Sequence, residues 1–278
     1  MRIAILLTCF NRKDKTYVCL NSLYKAISEY CLFDIYLVDD GSTDGTAMMI
    51  AEHFPEVRLI KGSGSLFWAG GMRLAWQSAI HSSNIYDGYL LINDDVEFCD
   101  GFMSLLIATH EYALSHYSKP GLYVLSTKSK SGEYTYGGHV LKKSIFHHRY
   151  DMIIPTNLPQ SCDLTNANIM FVTPEVVQSI GILDSHFTHS LADFDYGLSA
   201  KEAGFPVFVA PSFGGYCEND HAEKPLESYS LKERISMLYS VKGIALNEHL
   251  YYLNKHFRLK SIYAFIVLWL KTLFPFIK

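Results

Sequence analysis

Residues 33–46 read FDIYLVDDGSTDGT, an apolar run that ends in an acidic turn with two glycines. Such a run is typical of a strand buried on both faces of a sheet, and the residues after it predict a helix over about 43–54. Segments of the same two kinds alternate on either side, in IAILLT (3–8), a helix over 16–29, VRLIKG (57–62), MRLAWQSAIHS (72–82) and GYLLINDDVEF (88–98). This alternation predicts an α/β fold with a Rossmann-like, mostly parallel central sheet and helices on both faces.

Acidic residues follow two of the predicted strands, Asp39 and Asp40 after one and Asp94 and Asp95 after the other. Right-handed crossovers place the C-terminal ends of parallel strands at one edge of the sheet, where open α/β sheets bind ligands. No glycine precedes Gly41 and no P-loop lysine motif occurs, which argues against a dinucleotide fold and against ordinary kinases and ATPases.

These carboxylates suit a nucleotide sugar. A uracil or thymine N3–H can donate to Asp39, while ribose hydroxyls and a divalent cation near the pyrophosphate can use Asp94 and Asp95. Two simpler interpretations stay open, a capped strand-to-helix turn at VDDGSTDG and a solvated turn at NDD.

Composition narrows the class of protein. The 278 residues are 49% apolar and 19% charged, which excludes a disordered chain, a collagen and a coiled coil. The net charge of -4 argues against general nucleic-acid binding. Six cysteines without a CxxC pair, and a first segment that turns polar early, predict a cytoplasmic protein without a signal peptide.

The rest of the chain predicts two further regions. Strand-like pieces without helical period suggest mixed or antiparallel structure over 121–172, followed by helices over 174–181 and 195–203 and a strand at PVFVAP. We therefore divide the chain into a first region (1–120), a second region of the same domain (121–220) and a helical tail (221–278).

The tail has the composition of a membrane contact. Only Lys271 is charged between residues 262 and 277, a helix of about 24 Å that is short of the roughly 30 Å hydrocarbon core. Lys255, Arg258 and Lys260 precede it and suit lipid phosphates, which predicts a helix that lies on the inner face of the cell membrane. A buried helix or a contact in a homodimer are the alternatives.

Taken together, five segments resemble the family 2 inverting glycosyltransferases, which have a GT-A fold. The segments are LLTCFNR (6–12), LVDDGSTDGT (37–46), LFWAGGMRLAW (66–76), LLINDDVEF (90–98) and ADFDYGLSAKEAGFPVFVAP (192–211). They occur in the order that the family has and extend over residues 1 to about 220. The resemblance implies that residues 1–120 form a nucleotide-sugar (donor) binding region and residues 121–220 an acceptor-binding and catalytic-base region of the same domain. The resemblance is to the rhamnosyltransferase-like branch of bacterial surface polysaccharide assembly.

The resemblance implies a donor site and a metal. The implied donor-binding residues are Thr8, Phe10, Arg12, Asp39, Asp40, Trp68, Gly70, Gly71, Arg73 and Asp94. Asp95 would bind Mn²⁺ or Mg²⁺ as the last acid of the family's Asp-x-Asp motif, in which Asn93 replaces the first acid here. A late histidine often completes such sites, and His221 is assigned to that position ahead of His139. The alternative is that these histidines are structural or simply exposed.

The resemblance also implies a catalytic base. ADFDYGL aligns Asp193 with the family's base, although Ala192 replaces the glutamate that commonly precedes it. Asp195, Asn166 and Asn168 are predicted on the acceptor side. The alternative is that Asp193 and Asp195 only favour the positive N-terminus of the following helix.

These predictions describe one function. The chain is expected to be an inverting, metal-dependent glycosyltransferase that moves a hexose or deoxyhexose from a UDP- or dTDP-sugar to a glycan or a polyprenyl-diphosphate-linked acceptor. The alternative is a non-catalytic family member that serves as a scaffold in a membrane assembly. A nucleotidyltransferase is disfavoured by the absence of glycine before the first turn.

Overall fold

The computed structural model describes residues 1–27, 31–142, 149–219, 225–258 and 260–276. The strands are Arg2–Cys9 (β1), Leu32–Asp39 (β2), Arg58–Lys61 (β3), Gly88–Ile92 (β4), Glu97–Phe98 (β5), Leu122–Lys128 (β6), Tyr134–Tyr136 (β7), Gly138–Lys142 (β8), Arg149–Met152 (β9), Gln160–Ser161 (β10), Leu164–Thr165 (β11), Ile169–Val172 (β12) and Val207–Tyr216 (β13). The helices are Lys13–Ile27 (α1), Thr46–His53 (α2), Phe67–Ile80 (α3), Phe102–Tyr117 (α4), Pro174–Ile180 (α5), Ala192–Glu202 (α6), Leu231–Tyr239 (α7), Leu246–Phe257 (α8) and Lys260–Leu273 (α9).

The main sheet has the strand order β10-β13-β6-β12-β4-β1-β2-β3. The half of the sheet made of β4, β1, β2 and β3 is parallel, because β1 pairs in parallel with β2 and β4, and β2 pairs in parallel with β3. Strand β12 runs antiparallel between β4 and β6, while β6 and β13 are again parallel. The predicted mostly parallel α/β sheet is therefore confirmed.

Helices cover both faces of this sheet, as the continuous apolar strands require. Along β1, Ile3, Ile5 and Leu7 pack into one core with helices α1, α2 and α4. Ala4 and Leu6 point to the opposite core, which is shared with α3, α5, α6 and α8. All five of these side chains are fully buried, which is why the run lacks the polar alternation of a half-exposed strand.

The predicted mixed middle region contains a second, small sheet of order β11-β8-β9, which is antiparallel throughout. Helix α6 lies against β11, and Gly197 allows this close approach because a Cβ there would lie 2.7 Å from the Thr165 Oγ1 atom. The small sheet thereby connects the start of α6 to the main sheet.

Two helices begin earlier than the sequence predicts. Helix α3 begins at Phe67 rather than at about 72, because Asp40 accepts hydrogen bonds from the N–H groups of Leu66 and Phe67. Helix α6 begins at Ala192 rather than at 195, and Asp193 accepts a bond from the Phe194 N–H in its first turn. In α3 the capping acid is distant in sequence and gives no local signal.

The tail forms helices α7, α8 and α9. Within the described ranges, no helix has the length and the apolar character that are needed to cross a bilayer. One side of α9 leaves apolar side chains exposed at helical spacing, at Ile262, Phe265, Ile266, Leu270 and Leu273. No part of the described chain buries this side of α9.

Gly71 is required by the packing of α3 on β1. A Cβ at this position would lie 2.2 Å from the Thr8 Oγ1 atom and 2.7 Å from its Cβ. We expect Gly71→Ala to lower the free energy of unfolding by about 1–3 kcal/mol, the range for overpacking a core. The measurement is urea unfolding.

Gly70→Ala is the matched control in the same helix turn. Its Cβ would meet no atom nearer than the Leu66 Cβ at 3.2 Å, and alanine favours a helix over glycine by about 1 kcal/mol. The free energy of unfolding should therefore stay within about 1 kcal/mol of the wild-type value. Equal losses in the two variants would contradict the packing argument.

Candidate active site

A cavity of about 920 Å³ lies at the edge of the sheet where β1, β2 and β4 end. Residues from distant parts of the chain line it, among them the ends of β1 and β4, the start of α3, the 166–168 segment and the start of α6. The structure brings ten of the predicted site residues to its wall, namely Thr8, Phe10, Arg12, Asp40, Trp68, Asp94, Asp95, Asn166, Asn168 and Asp193.

Arg12 joins the two carboxylates that follow β4. Its Nη1 atom lies 2.9 Å from Asp94 Oδ1 and 2.9 Å from Asp95 Oδ2. Burial raises the pKa of Asp94 to about 6, with a further rise from Asp95 that Arg12 opposes. The site therefore holds two close carboxylates, whose repulsion is offset by one guanidinium.

The chemistry of this pair fits a hard divalent cation. The Asp94 and Asp95 oxygens that come together both contact Arg12 Nη1, so a cation bound between them would take the place of that guanidinium group. Mg²⁺ commonly takes one or two carboxylates and completes its shell with water and substrate phosphates. No group of three His, Cys, Asp or Glu side chains suited to a metal occurs within the described ranges. His221 lies outside the described residues.

A sulfur contact supports Asp95 from behind. Cys217 is buried, and its Sγ lies 3.4 Å from Asp95 Oδ1, while Asn168 Nδ2 lies 3.5 Å from the same sulfur. Burial raises the pKa of the Cys217 thiol, which keeps it a neutral donor toward the carboxylate. The side chain of Asn168, predicted on the acceptor side, thus contacts Cys217, the residue that bonds to Asp95.

Asp40 and Asp39 have different places. Both oxygens of Asp40 accept backbone hydrogen bonds, at 2.8 Å from Gly64 and Leu66 and at 3.1 Å from Phe67. Asp40 therefore fixes the loop that leads into α3, where Phe67 has a positive φ of 54°. Asp39 is buried outside the cavity wall, and its Oδ1 accepts a bond from the Ser42 N–H at 2.8 Å.

Trp68 lines the cavity, and its Nε1 donates to Asn93 Oδ1 at 2.8 Å. This bond ties the first turn of α3 to the segment after β4. The structure does not bring Gly70, Gly71 or Arg73 to the cavity wall. Arg73 instead donates to the carbonyl oxygens of Asp184 and Phe187, at 3.0 and 2.7 Å, and so holds the loop before α6.

Asp193 lies in the first turn of α6, after Leu191 with a positive φ of 66°. Its Oδ2 accepts from the Ala167 N–H at 3.2 Å and its Oδ1 from the Phe194 N–H at 3.0 Å. Burial raises the pKa of Asp193, and these bonds together with one from Asn166 oppose the rise. A carboxylate with a raised pKa on a cavity wall has the properties of a general base.

Asp195 lies away from the cavity. The residue is 1% exposed, and its carboxylate bonds to Lys255 Nζ at 2.8 Å and to His256 Nε2 at 2.8 Å. The second nitrogen of His256 bonds to Glu202. Burial lowers the pKa of His256, but the carboxylates of Asp195 and Glu202 raise it by more, so the pKa lies above its ordinary value. The Asp195 side chain thus joins α6 to α8.

Several wall residues were not predicted from the sequence. Phe194, Tyr136, Tyr150, His189 and Lys242 all line the cavity. Tyr150 comes from the β8–β9 hairpin and packs on Phe194 with ring centroids 5.4 Å apart. Only the adjacency of Phe194 to Asp193 gave a local signal, since the other side chains reach the cavity through long-range packing.

Comparison with known proteins agrees with this architecture. Residues 4–112, less than half of the chain, match the model of the family described as Glycosyl transferase family 2. This region contains the ends of β1, β2 and β4 but not Asp193. No curated protein sequence matches the chain significantly.

Solved structures share the fold over nearly the whole chain. The mannosyltransferase PcManGT from Pyrobaculum calidifontis, in complex with GDP-Man and Mn²⁺, is 11% identical with a TM-score of 0.58, over 98% of this chain and 69% of that one. TarS 1-349 of S. aureus in complex with UDP-GlcNAc is 15% identical with a TM-score of 0.54, over 98% and 80%. The chain therefore has a GT-A fold, and the family match supports a role in glycosyl transfer.

Proposed function

We propose that the chain is an inverting glycosyltransferase of the rhamnosyltransferase-like branch. It would move a hexose or deoxyhexose from a UDP- or dTDP-sugar to a glycan or lipid-linked acceptor in surface polysaccharide synthesis. One observation carries the proposal: the carboxylate of Asp193 and the Arg12–Asp94–Asp95 cluster line a single cavity of about 920 Å³. A base and a charge-bearing donor site are the two parts that a single displacement needs.

The chemistry assigns one step to each part. Asp193 removes the proton from an acceptor hydroxyl as that oxygen attacks the anomeric carbon, and the nucleotide diphosphate leaves from the opposite face. Mn²⁺ or Mg²⁺, held by Asp95 beside Asp94, would offset the charge that develops on the diphosphate. The raised pKa of Asp193 suits a base that must take a proton near neutral pH.

The wall near Asp193 supports a sugar acceptor. Phe194 and Tyr150 form an edge-to-face pair, and Tyr136 lines the same cavity. Aromatic side chains with polar neighbours give a site both an apolar face and orienting hydrogen bonds, and Asn166 supplies an amide there. A pyranose ring has the same combination of apolar C–H faces and equatorial hydroxyls.

The tail supports a location at a membrane. The exposed apolar side of α9 and the cations Arg258 and Lys260 at its start have the character of an interfacial helix. Tyr239 of α7 packs on Trp269 of α9 with ring centroids 6.3 Å apart, so α7 and α9 are in direct contact. We propose the cytoplasmic face of the cell membrane as its place, with a homodimer as the alternative occupant of this side.

Release of nucleotide diphosphate tests the proposal. Purified protein is incubated with UDP-, dTDP- and GDP-sugars, each with Mn²⁺, Mg²⁺ or EDTA. We expect slow hydrolysis of one UDP- or dTDP-sugar, at least about tenfold faster with metal than with EDTA, because the cation offsets leaving-group charge.

The negative outcomes are distinct. Binding of a nucleotide without turnover would indicate a missing acceptor, which crude lipid-linked glycan extracts can supply. Absence of both binding and turnover for every donor would contradict the proposal and favour the scaffold alternative.

A further inference from the structure

The protein side chains on the cavity wall carry more negative than positive charge, which is unfavourable for binding a diphosphate. Arg12 and Lys242 are the two Lys or Arg side chains on its wall among the described residues. Arg12 is already shared between Asp94 and Asp95, and Asp40 adds a further carboxylate to the wall. Without a bound metal ion, a diphosphate entering this wall meets more negative than positive charge, so the remaining lysine matters for its binding beside the cation that Asp95 would hold.

Lys242 is the remaining cation. Within the described part of the chain it forms no ion pair and no hydrogen bond, in contrast to Arg12. It is exposed to solvent at the cavity and lies far beyond residues 4–112, the region that matches the family model. A lysine amine with no partner is able to bind phosphate oxygens as a point charge.

The backbone around Lys242 is fixed. Gly243 N–H donates to Ser240 O at 2.9 Å and Ile244 N–H to Met237 O at 3.1 Å, which closes a tight turn between α7 and α8. A Cβ on Gly243 would lie 2.1 Å from Met237 O, so the turn needs glycine. The flexible side chain of Lys242 therefore extends from a defined point at the cavity.

The turn is also attached to the cavity wall. Glu248 in the first turn of α8 accepts a hydrogen bond from the Thr188 N–H at 2.9 Å. Thr188 precedes His189, Ser190 and Leu191, three residues that line the cavity. This hydrogen bond joins α8, the helix after the Lys242 turn, to the loop before α6.

We propose that Lys242 binds the diphosphate of the substrate, so that the tail supplies a positive group to the donor site. The inference rests on the proposed function, since it assigns the diphosphate group of that reaction to one side chain. Two sources have the same chemistry, the nucleotide-sugar donor and the diphosphate of a lipid-linked acceptor. The separation between β4 and α7 along the chain explains why no motif near the Asp94–Asp95 pair indicates this cation.

Calorimetric titration distinguishes the sources. The probes are UDP and UMP, dTDP and dTMP, and farnesyl diphosphate, at a fixed Mg²⁺ concentration. With Lys242→Gln we expect about tenfold weaker binding of the nucleoside diphosphate, the loss of one charge-assisted contact, and less than about twofold change for the monophosphate. Lys242→Arg should restore binding to within about threefold, because it keeps the charge.

Lys232→Gln is the matched control, since Lys232 is an exposed lysine of α7 that does not line the cavity. It should leave every affinity unchanged. Weaker binding of farnesyl diphosphate alone to Lys242→Gln would assign Lys242 to the acceptor. Unchanged affinity for all diphosphates would overturn the inference. If the wild-type protein binds no nucleotide, the proposed donor fails, and farnesyl diphosphate alone decides the role of Lys242.

Discussion

Replacing Asp193 with asparagine is expected to lower kcat by about 10²- to 10⁴-fold, the usual contribution of a general base. The amide cannot take the acceptor proton, although it keeps the size of the carboxylate. Donor affinity should change little, because the donor-side carboxylates Asp94 and Asp95 come from the segment after β4 and not from α6. Turnover and calorimetric donor binding are measured on the same preparation.

Two further readouts separate catalysis from folding. Asparagine loses one of the backbone bonds that Asp193 accepts from Ala167 and Phe194, so the free energy of unfolding should fall by about 1 kcal/mol. Because burial raises the pKa of Asp193, its contribution to the acid limb of the wild-type kcat/KM profile should lie above the ordinary carboxyl pKa. The variant should lose that contribution and keep the one from Asp94, whose pKa is about 6. A kcat within tenfold of the wild-type value would place the base elsewhere.

Asp195→Ala is expected to lower the free energy of unfolding by about 1–3 kcal/mol, the cost of leaving buried polar groups without a partner. The carboxylate is buried between Lys255 and His256, which after its removal keep only their more exposed carboxylate partners, Asp184 and Glu202. Urea unfolding measures the loss. Turnover per folded molecule should stay near the wild-type value, since Asp195 does not line the cavity.

Glu202→Ala is the matched control for this network. Glu202 bonds to the other nitrogen of His256, but its side chain is 58% exposed, so the loss should be below about 1 kcal/mol. Equal losses for both variants would contradict the assignment of Asp195 as the buried centre. A fall in the turnover of folded Asp195→Ala would return Asp195 to the acceptor side, where the sequence placed it.

The sequence predicts the parallel half of the fold well because each strand there is a continuous apolar run. Ile3, Ile5 and Leu7 enter one core while Ala4 and Leu6 enter the other, and this two-sided burial is what the pattern records. The antiparallel insertion of β12 between β4 and β6 has no such local signal. Strand order depends on pairing between distant segments, which hydrophobic pattern alone does not encode.

Among the site residues, the acids that follow the parallel strands could be predicted from the sequence pattern, whereas the residues supplied by the tail and by the short strand β9 could not. Asp94 and Asp95 directly follow β4, so the rule for the edge of a parallel sheet brings them to the ligand. Lys242 and Tyr150 reach the same cavity only through the packing of the tail and of the small sheet. Arg73 shows the converse, a charged residue in a matching segment whose hydrogen bonds go to a neighbouring loop.

The pairing of β4 with β12 also has a consequence for biosynthesis. When β1 to β4 have left the ribosome, the apolar edge of β4, with Leu90 and Leu91, still lacks the strand that will cover it. Strand β6 pairs with both β12 and β13, so the main sheet is complete only after β13 has been synthesised. Such long-range pairing slows folding, and the strand edge that is unpaired until then favours aggregation of the nascent chain.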